Sequence, residues 1–293
     1  MSHEILNLTN VRYEQTAPGP ATQGFVDCYW YLETGLPAED AVQRVVPDGR
    51  PELILNLGEP FESARDSRWI RQPRFFFAGQ IGSPMLLRPC GRAKIIGVRF
   101  RPEGASRIFR WPMHELAGMV VPLDALSPRL DRDLQPVRGM DSIARQWRFV
   151  DRVLTLVAHP TAQNSDAAVG FALDTAIETG GLISVSSLAK RVNLSNRQLE
   201  RRFLDTVGMT PKRFCRIRRF QRVLQAMEEP GANWADAAVE CGYYDQAHLI
   251  RDFRRFSGLT PACLLGADTD LAAHFVQNYA PSHFSNTEGR GLV

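Results

Sequence analysis

The sequence predicts an α+β chain of two domains: a β-rich N-terminal domain with trailing helices, then an all-α part made of two helix-turn-helix modules joined by a linker helix. Three observations predict it. Runs of aromatic and β-branched residues are concentrated in residues 1–124. Helical spacing of apolar residues takes over from Asp141. The pattern of residues 185–211 then recurs at 234–261: Gly208, Thr210 and Pro211 stand 50 positions before Gly258, Thr260 and Pro261, and the same offset links Leu199 to Leu249, Arg201 to Arg251 and Phe203 to Phe253. The divisions expected are 1–160, 166–265 and a tail, 266–293, whose last dozen or so residues lack the pattern of an ordered segment.

In the first division, strands are expected at 25–32, 52–58, 74–80 and 93–100, with a barrel-like closure among the arrangements open to them. The turn chemistry of Pro47-Asp48-Gly49-Arg50-Pro51 and Ile81-Gly82-Ser83-Pro84 separates these runs. A short helix is expected over 103–109. A longer one starts at Asp141 as N-cap and carries Ile143, Gln146, Trp147, Val150, Val153, Leu154 and Val157, until His159-Pro160 ends it. So continuous a stripe predicts docking on the β-rich domain or on a second copy of it.

Residues 159–165 read as a linker. A helix over 166–179 follows, with Val169, Leu173, Ala176 and Ile177 as its stripe and Gly180-Gly181 as its C-cap. In the first module Ser184 caps a helix bearing Val185, Leu188, Ala189 and Val192; in the second Asn233 caps one bearing Trp234, Ala237, Ala238 and Cys241. Asn193 and Gly242 fall at the bends, where positive φ is needed. Ser195 and Asp245 cap the second helices, and Gln198 completes a capping box with Ser195.

On those second helices the faces separate at 100° per residue. Leu199 and Phe203, and Leu249 and Phe253, point inward; Arg197, Glu200, Arg201 and Leu204, and Ala247, Ile250, Arg251 and Arg254, point outward. An outward face at a helix N-terminus is what enters a DNA major groove. There arginine matches the guanine edge, glutamate accepts from cytosine, and an alanine is short enough for a thymine methyl. Ser195, Gln246 and His248 stand near the caps, suited to phosphates. Pro211 opens the linker helix, 212–227, where Lys212 and Arg213 are further phosphate candidates. Net charge is only +3, yet residues 190–219 hold ten basic side chains against Glu200 and Asp205, a local excess of eight. The bland alternative, a solvated basic face, does not explain why two helices share a cap, an inward pair and an outward arginine.

Cys28, Cys90, Cys215, Cys241 and Cys263 show no metal-ligand or disulfide spacing, which predicts reduced, mostly buried thiols, with no metal and no cofactor. The segment MSHEILNLTN lacks the pattern of a secretory leader and no apolar run approaches a membrane span, so a cytoplasmic protein with no membrane partner is expected.

The segment from Gly242 through Tyr243, Asp245, His248, Arg251 and Phe253 to Gly258 and Pro261, together with Ser187-Leu188-Ala189 and the run from Leu194 to Phe203, resembles the AraC/XylS family of bacterial transcription regulators. The resemblance covers about 166–265. It implies a seven-helix DNA-binding domain in which Arg197, Glu200, Arg201, Gln246, Ala247, His248 and Arg251 fall where family members contact DNA. Double-stranded DNA is the partner implied, with RNA polymerase, a second copy of the chain and a small-molecule effector as further partners. Asn193 stands where the family has glycine, and Leu264-Leu265 where it often has an aromatic-basic pair. Pro47-Asp48-Gly49 and Gly97-Val98-Arg99-Phe100-Arg101-Pro102 look like a less characterised β-rich sensor domain. There Tyr29 and Tyr31 share one strand face and Trp30 takes the other; Tyr29, Tyr31, Phe76 and Arg99 are the candidate effector-pocket residues, with Arg99 and Arg101 on one face for an anion, against the alternative that the aromatics are core. Two other readings stay open: a DNA-binding regulator set by abundance or a protein partner, and a cysteine-dependent repair protein for alkylated DNA, which would need an activated thiolate.

Overall fold

The computed structural model describes residues 11–36, 42–159, 166–227, 233–261 and 263. The tail from 266, residues 160–165 of the linker and Leu264-Leu265 lie outside the described residues. Two antiparallel sheets carry the N-terminal half. The larger runs in the order β1-β2-β9-β4-β7-β10, with β1 Arg12–Thr16, β2 Val26–Glu33, β4 Glu52–Asn56, β7 Phe75–Ala78, β9 Lys94–Phe100 and β10 Val120–Pro122. The smaller runs β3-β8-β5-β6, with β3 Gln43–Val45, β5 Glu62–Arg65, β6 Arg68–Arg71 and β8 Met85–Arg88. Neither order returns on itself, so the barrel-like arrangement gives way to two open sheets.

The larger sheet is the middle of three layers, and this explains its uniformly apolar strands. Tyr29, Tyr31, Leu53, Leu55, Phe75, Phe77, Ile96, Val98 and Phe100 face a helical layer. Trp30, Leu32, Ile54, Phe76 and Ile95 face the other way and pack with Phe61 and Leu87 of the smaller-sheet side. Alternation along each strand therefore buries both faces, and Phe75-Phe76-Phe77 is core on both. Trp30 pairs with Gly97 across β2 and β9. A Cβ at Gly97 would fall inside the Trp30 indole, so only glycine admits the ring there.

The helical layer is α1 Met113–Leu116, α2 Leu123–Leu126, α3 Pro128–Leu134 and α4 Ile143–Val157. The segment expected to be a helix over 103–109 is a single 3-10 turn, Gly104–Arg107. The N-cap of α4 is Ser142 rather than Asp141, and its side chain makes no capping bond. Val150, Val153 and Leu154 are buried in the helical-layer core and Trp147 packs on it, so the α4 stripe docks on its own domain. Asp151 ties α4 to the sheet: its Oδ1 accepts from Tyr29 Oη at 2.8 Å, from the Gly19 amide at 3.1 Å and from Thr22 Oγ1.

The C-terminal half contains α5 Ala167–Glu178, α6 Val185–Arg191, α7 Asn196–Val207, α8 Pro211–Ala226, α9 Trp234–Glu240 and α10 Gln246–Ser257. One apolar core spans them, with Leu188, Leu199, Phe203, Phe214, Phe220, Leu249 and Phe253 almost wholly buried. Val46, from the loop between β3 and β4, belongs to this core. That loop makes one part of the joint. The Gly49 backbone lies so close to Phe214 that a Cβ would stand 2.9 Å from its ring, at a φ of +80° that already favours glycine. Gln221 Nε2 donates to the Pro47 carbonyl at 2.5 Å, Arg213 to the Gly82 carbonyl at 3.0 Å and Arg44 to the Ser257 carbonyl at 2.9 Å. His114 stands 3.4 Å from Asp205 on α7, and Arg101 3.2 Å from Asp174 on α5.

The thiols are less uniformly hidden than expected: Cys215 and Cys241 are buried and Cys28 is half-buried, while Cys90 and Cys263 are exposed.

Candidate nucleic-acid interface

Each module begins with a capped short helix. Ser184 Oγ accepts from the Ser187 amide at 3.1 Å, and Asn233 Oδ1 from the Ala235 and Asp236 amides at 3.0 and 2.9 Å. These bonds satisfy donors that a helix start leaves open. The chain then turns sharply through Asn193, φ 53°, and Gly242, φ 73°. Asparagine thus adopts at the first bend the left-handed geometry that glycine adopts at the second. The second helices start on Ser195 and Asp245. Ser195 and Gln198 form the full capping box, at 2.9 and 3.2 Å, and Asp245 accepts from the His248 amide at 2.6 Å. Gly208, φ 88°, and Gly258, φ 74°, end both helices in the left-handed conformation. The bonded Thr210 cap and Pro211 then launch α8.

This framework fixes which faces remain outside. Leu199, Phe203, Leu249 and Phe253 are buried. Ser195, Arg197, Glu200 and Arg201 are exposed on α7, and Gln246, Ala247 and Arg251 on α10; Leu204, His248 and Ile250 are half-buried. The Arg251 Nε donates to the Ala247 carbonyl at 3.2 Å, which lays its guanidinium along the same face. His248 packs edge-on to Tyr243, centroids 5.1 Å apart.

The linker helix divides its basic residues among three environments. Lys212 is exposed. Arg213, expected beside it at a phosphate, is turned into the joint with the N-terminal half by its bond to Gly82. Burial there lowers its pKa below the usual arginine value, with Arg255 and Arg216 adding repulsion. Arg216 reaches α10, bonding both oxygens of Asp252, whose carboxylate is fully buried. That bond raises the Arg216 pKa. An open cleft of about 460 Å³ lies between α8 and α10, bordered by Lys212, Arg216, Arg219, His248, Arg251 and Tyr244. Tyr244, 94% exposed beside the α10 cap, was missed by the sequence reading, as were Arg216 and Arg219. The available signal was an exposed aromatic one residue after the buried Tyr243, and a pair of adjacent tyrosines does not show by itself which is inside.

A second site lies between the two sheets: a cavity of about 120 Å³ whose apolar lining includes Trp30, Ile54, Phe76, Met85 and Ile95. Of the expected pocket residues, Phe76 and Arg99 line it; Tyr29 and Tyr31 do not, because their strand parity sends them into the helical layer. Arg99 is not open for an anion as expected. Its Nε donates to Glu52 Oε1 at 2.8 Å, which also accepts from Trp30 Nε1 at 3.3 Å. Arg101 is bound instead to Glu103 and Asp174. Burial pushes the Glu52 carboxyl above its usual range against the pull of Arg99.

Two family models match. A helix-turn-helix domain model matches residues 188–266, and a domain of unknown function, DUF6597, matches residues 14–122. The transcriptional regulator GbdR of Pseudomonas aeruginosa is 30% identical over 79 residues, covering 27% of this chain and 22% of that protein. The probable transcription factor PqrA of Proteus vulgaris is 28% identical over 90 residues, covering 31% of this chain and 74% of that protein. The chain thus spans about a fifth of the length of the first of these relatives. Among solved structures, ToxT of Vibrio cholerae aligns over 88% of this chain and 98% of its own, with 8% identity and a TM-score of 0.44. The AraC-like transcriptional activator CuxR aligns over 79% and 90%, with 15% identity and a TM-score of 0.28.

Proposed function

We propose that this chain, whose residues 188–266 match a helix-turn-helix domain model, is a transcription regulator of the AraC/XylS type in which α7 and α10 read two adjacent major-groove segments under the control of a small molecule held between the N-terminal sheets. The observation that carries the reading is the duplicated exposure of arginine, Arg201 on α7 and Arg251 on α10, at the same position six residues after the N-cap of two side-chain-capped helices. Base contacts fall to Arg197, Glu200, Arg201, Ala247 and Arg251; backbone contacts fall to Ser195, Gln246, His248 and Lys212. Residues 166–265 act as the DNA-binding unit and 1–160 as the sensing unit, in the cytoplasm, with RNA polymerase or a second copy of the chain as further partners.

Enzymatic DNA repair is not favoured. Such chemistry needs an activated thiolate. Burial instead pushes the Cys28 thiol up to about 11, and no cluster of metal-ligating side chains occurs among the described residues. Effector control is favoured over control by abundance alone because a cavity-lining residue, Val46, is also part of the core of the DNA-binding half.

The test is a pair of substitutions against DNA selected from a random pool by the wild-type protein. Arg201→Ala and Arg251→Ala each cost about 1 to 3 kcal/mol and each relax preference at a different base position. Unchanged affinity and preference in both would overturn the groove assignment.

A further inference from the structure

Resting on the effector reading above, we infer that the cavity takes a neutral, mainly apolar molecule about the size of one ring, with a hydrogen-bond donor for Glu52, and that occupancy reaches the DNA-binding half through Val46 and Gly49 onto α8.

Size comes first. An apolar cavity of about 150 Å³ holds a benzene molecule. At about 120 Å³, this one admits a single ring or a short branched chain, and no extended acyl tail. Charge comes next. The ionic groups bordering the cavity are Asp48, Arg50, Glu52 and Arg99, two of each sign. Arg99 is bonded to Glu52, and Arg50 stands 3.7 Å from Asp27 while its amide is bonded to Asp48. An incoming carboxylate has to displace Glu52 from Arg99 and leave a second carboxylate desolvated beside it. An incoming ammonium meets Arg99 and Arg50. Stranding one member of a buried pair is far more costly than leaving the pair intact. A neutral ligand avoids both costs. Both bonds to Glu52 fall on Oε1, so Oε2 is the acceptor left for a ligand hydroxyl or amide N–H.

The path outward is one residue thick. Val46 lines the cavity and is at the same time a member of the C-terminal core. Three residues on, Gly49 packs on Phe214 of α8, and between them the Pro47 carbonyl accepts from Gln221 of α8. Ile81 also lines the cavity, and the adjacent Gly82 holds Arg213 of α8. Two lining segments of the cavity thus end on the helix that spaces the two modules. A ligand that shifts either segment biases the α8 position, which is the differential contact any effector needs.

The experiment uses the full chain and a size-matched trio of probes: benzyl alcohol, benzoate and benzylamine. Melting temperature and calorimetric binding are measured for each, and affinity for the selected DNA is measured with and without the probe. Benzyl alcohol is expected to raise the melting temperature where the two ions do not, and to change DNA affinity about fivefold or more. Gln221→Met and Gly49→Ala, each checked for a native melting transition, are expected to keep benzyl alcohol binding and to lose most of its effect on DNA. Gln221→Met leaves the packing volume intact, so the test survives if Gly49→Ala does not fold. Stronger binding of benzoate or benzylamine overturns the neutral-ligand inference and leaves effector control standing. Binding of benzyl alcohol with no change in DNA affinity, or an undiminished effect in both variants, overturns the coupling path. No heat or melting shift with any of the three overturns the ligand class, and if a broad metabolite screen is also silent, effector control itself falls.

Discussion

Removing Arg216 is predicted to damage the second module more than removing the charge of its partner, Asp252. The two differ in burial. Asp252 is 0% exposed, whereas about a quarter of the Arg216 side chain, 24%, is exposed. In Arg216→Met the carboxylate is left in the core between α8 and α10 without its cation. Breaking a buried pair in this way costs about 3 to 5 kcal/mol. In Asp252→Asn the amide oxygen still accepts from the guanidinium, and the exposed part of Arg216 is hydrated. The loss is then the difference between a charged and a neutral hydrogen bond, about 1 kcal/mol. The double variant Arg216→Met with Asp252→Leu replaces the pair by apolar groups and is predicted to recover most of the loss. Hydrogen exchange of the α10 amides under native conditions is a suitable assay, because it reports local opening of that helix rather than unfolding of both halves at once. Equal protection losses in Arg216→Met and Asp252→Asn, or a double variant no better than Arg216→Met alone, would refute the reasoning.

Further expectations are smaller or more local. Ser195→Ala removes the capping box of α7 and should cost about 1 kcal/mol, read as faster exchange confined to that helix, with Asp245→Ala doing the same to α10. Neutralising Lys212 should weaken binding to all DNA sequences alike and reduce the salt slope by about one unit, whereas Arg213→Gln should leave the slope unchanged while the joint is intact, since Arg213 is held by Gly82. Alkylation should label Cys90 and Cys263 first, with Cys28 and Cys215 slow until the pH nears 11, where burial has placed their thiols. Because those two folded-state values are raised from 9.0, the stability they contribute is intact below about pH 9 and lost as the pH rises through about 11, which alkaline melting curves can follow.

The C-terminal modules were legible because their determinants are local. A cap, a bend residue, an inward pair at i and i+4 and a glycine exit are all set within a dozen or so positions, and the repeat supplied each of them twice. Even the asparagine in place of glycine at 193 was readable, since asparagine tolerates positive φ. The N-terminal half was less legible for physical reasons. The four strands anticipated are the central, two-sided ones; β1, β3, β5, β6, β8 and β10 were missed, and they are short, lie at or near sheet edges, or have polar and half-exposed residues that carry no strong period. Tyr29 and Tyr31 were correctly placed on one face together, but which face meets the helices depends on elements far away in sequence. The fate of Arg99 turned on Glu52, 47 residues distant, and that of Arg213 on Gly82, 131 residues distant; neither pairing leaves a mark in either local sequence.

The helix α8 sets more than a spacing. Homodimeric readers present the same helix twice about a two-fold axis, and their sites are accordingly palindromic. On the groove assignment proposed above, one 16-residue helix joins two readers that differ in side chain, Arg197-Glu200-Arg201 on one and Ala247-Ile250-Arg251 on the other. A site matched to this chain therefore has a left end and a right end. Reversing its sequence orientation turns the whole protein around on the duplex, N-terminal half included, so whatever that half touches on neighbouring DNA or on bound protein lies upstream in one orientation and downstream in the other. On that assignment, the direction in which a binding site is written is information that a single chain can read.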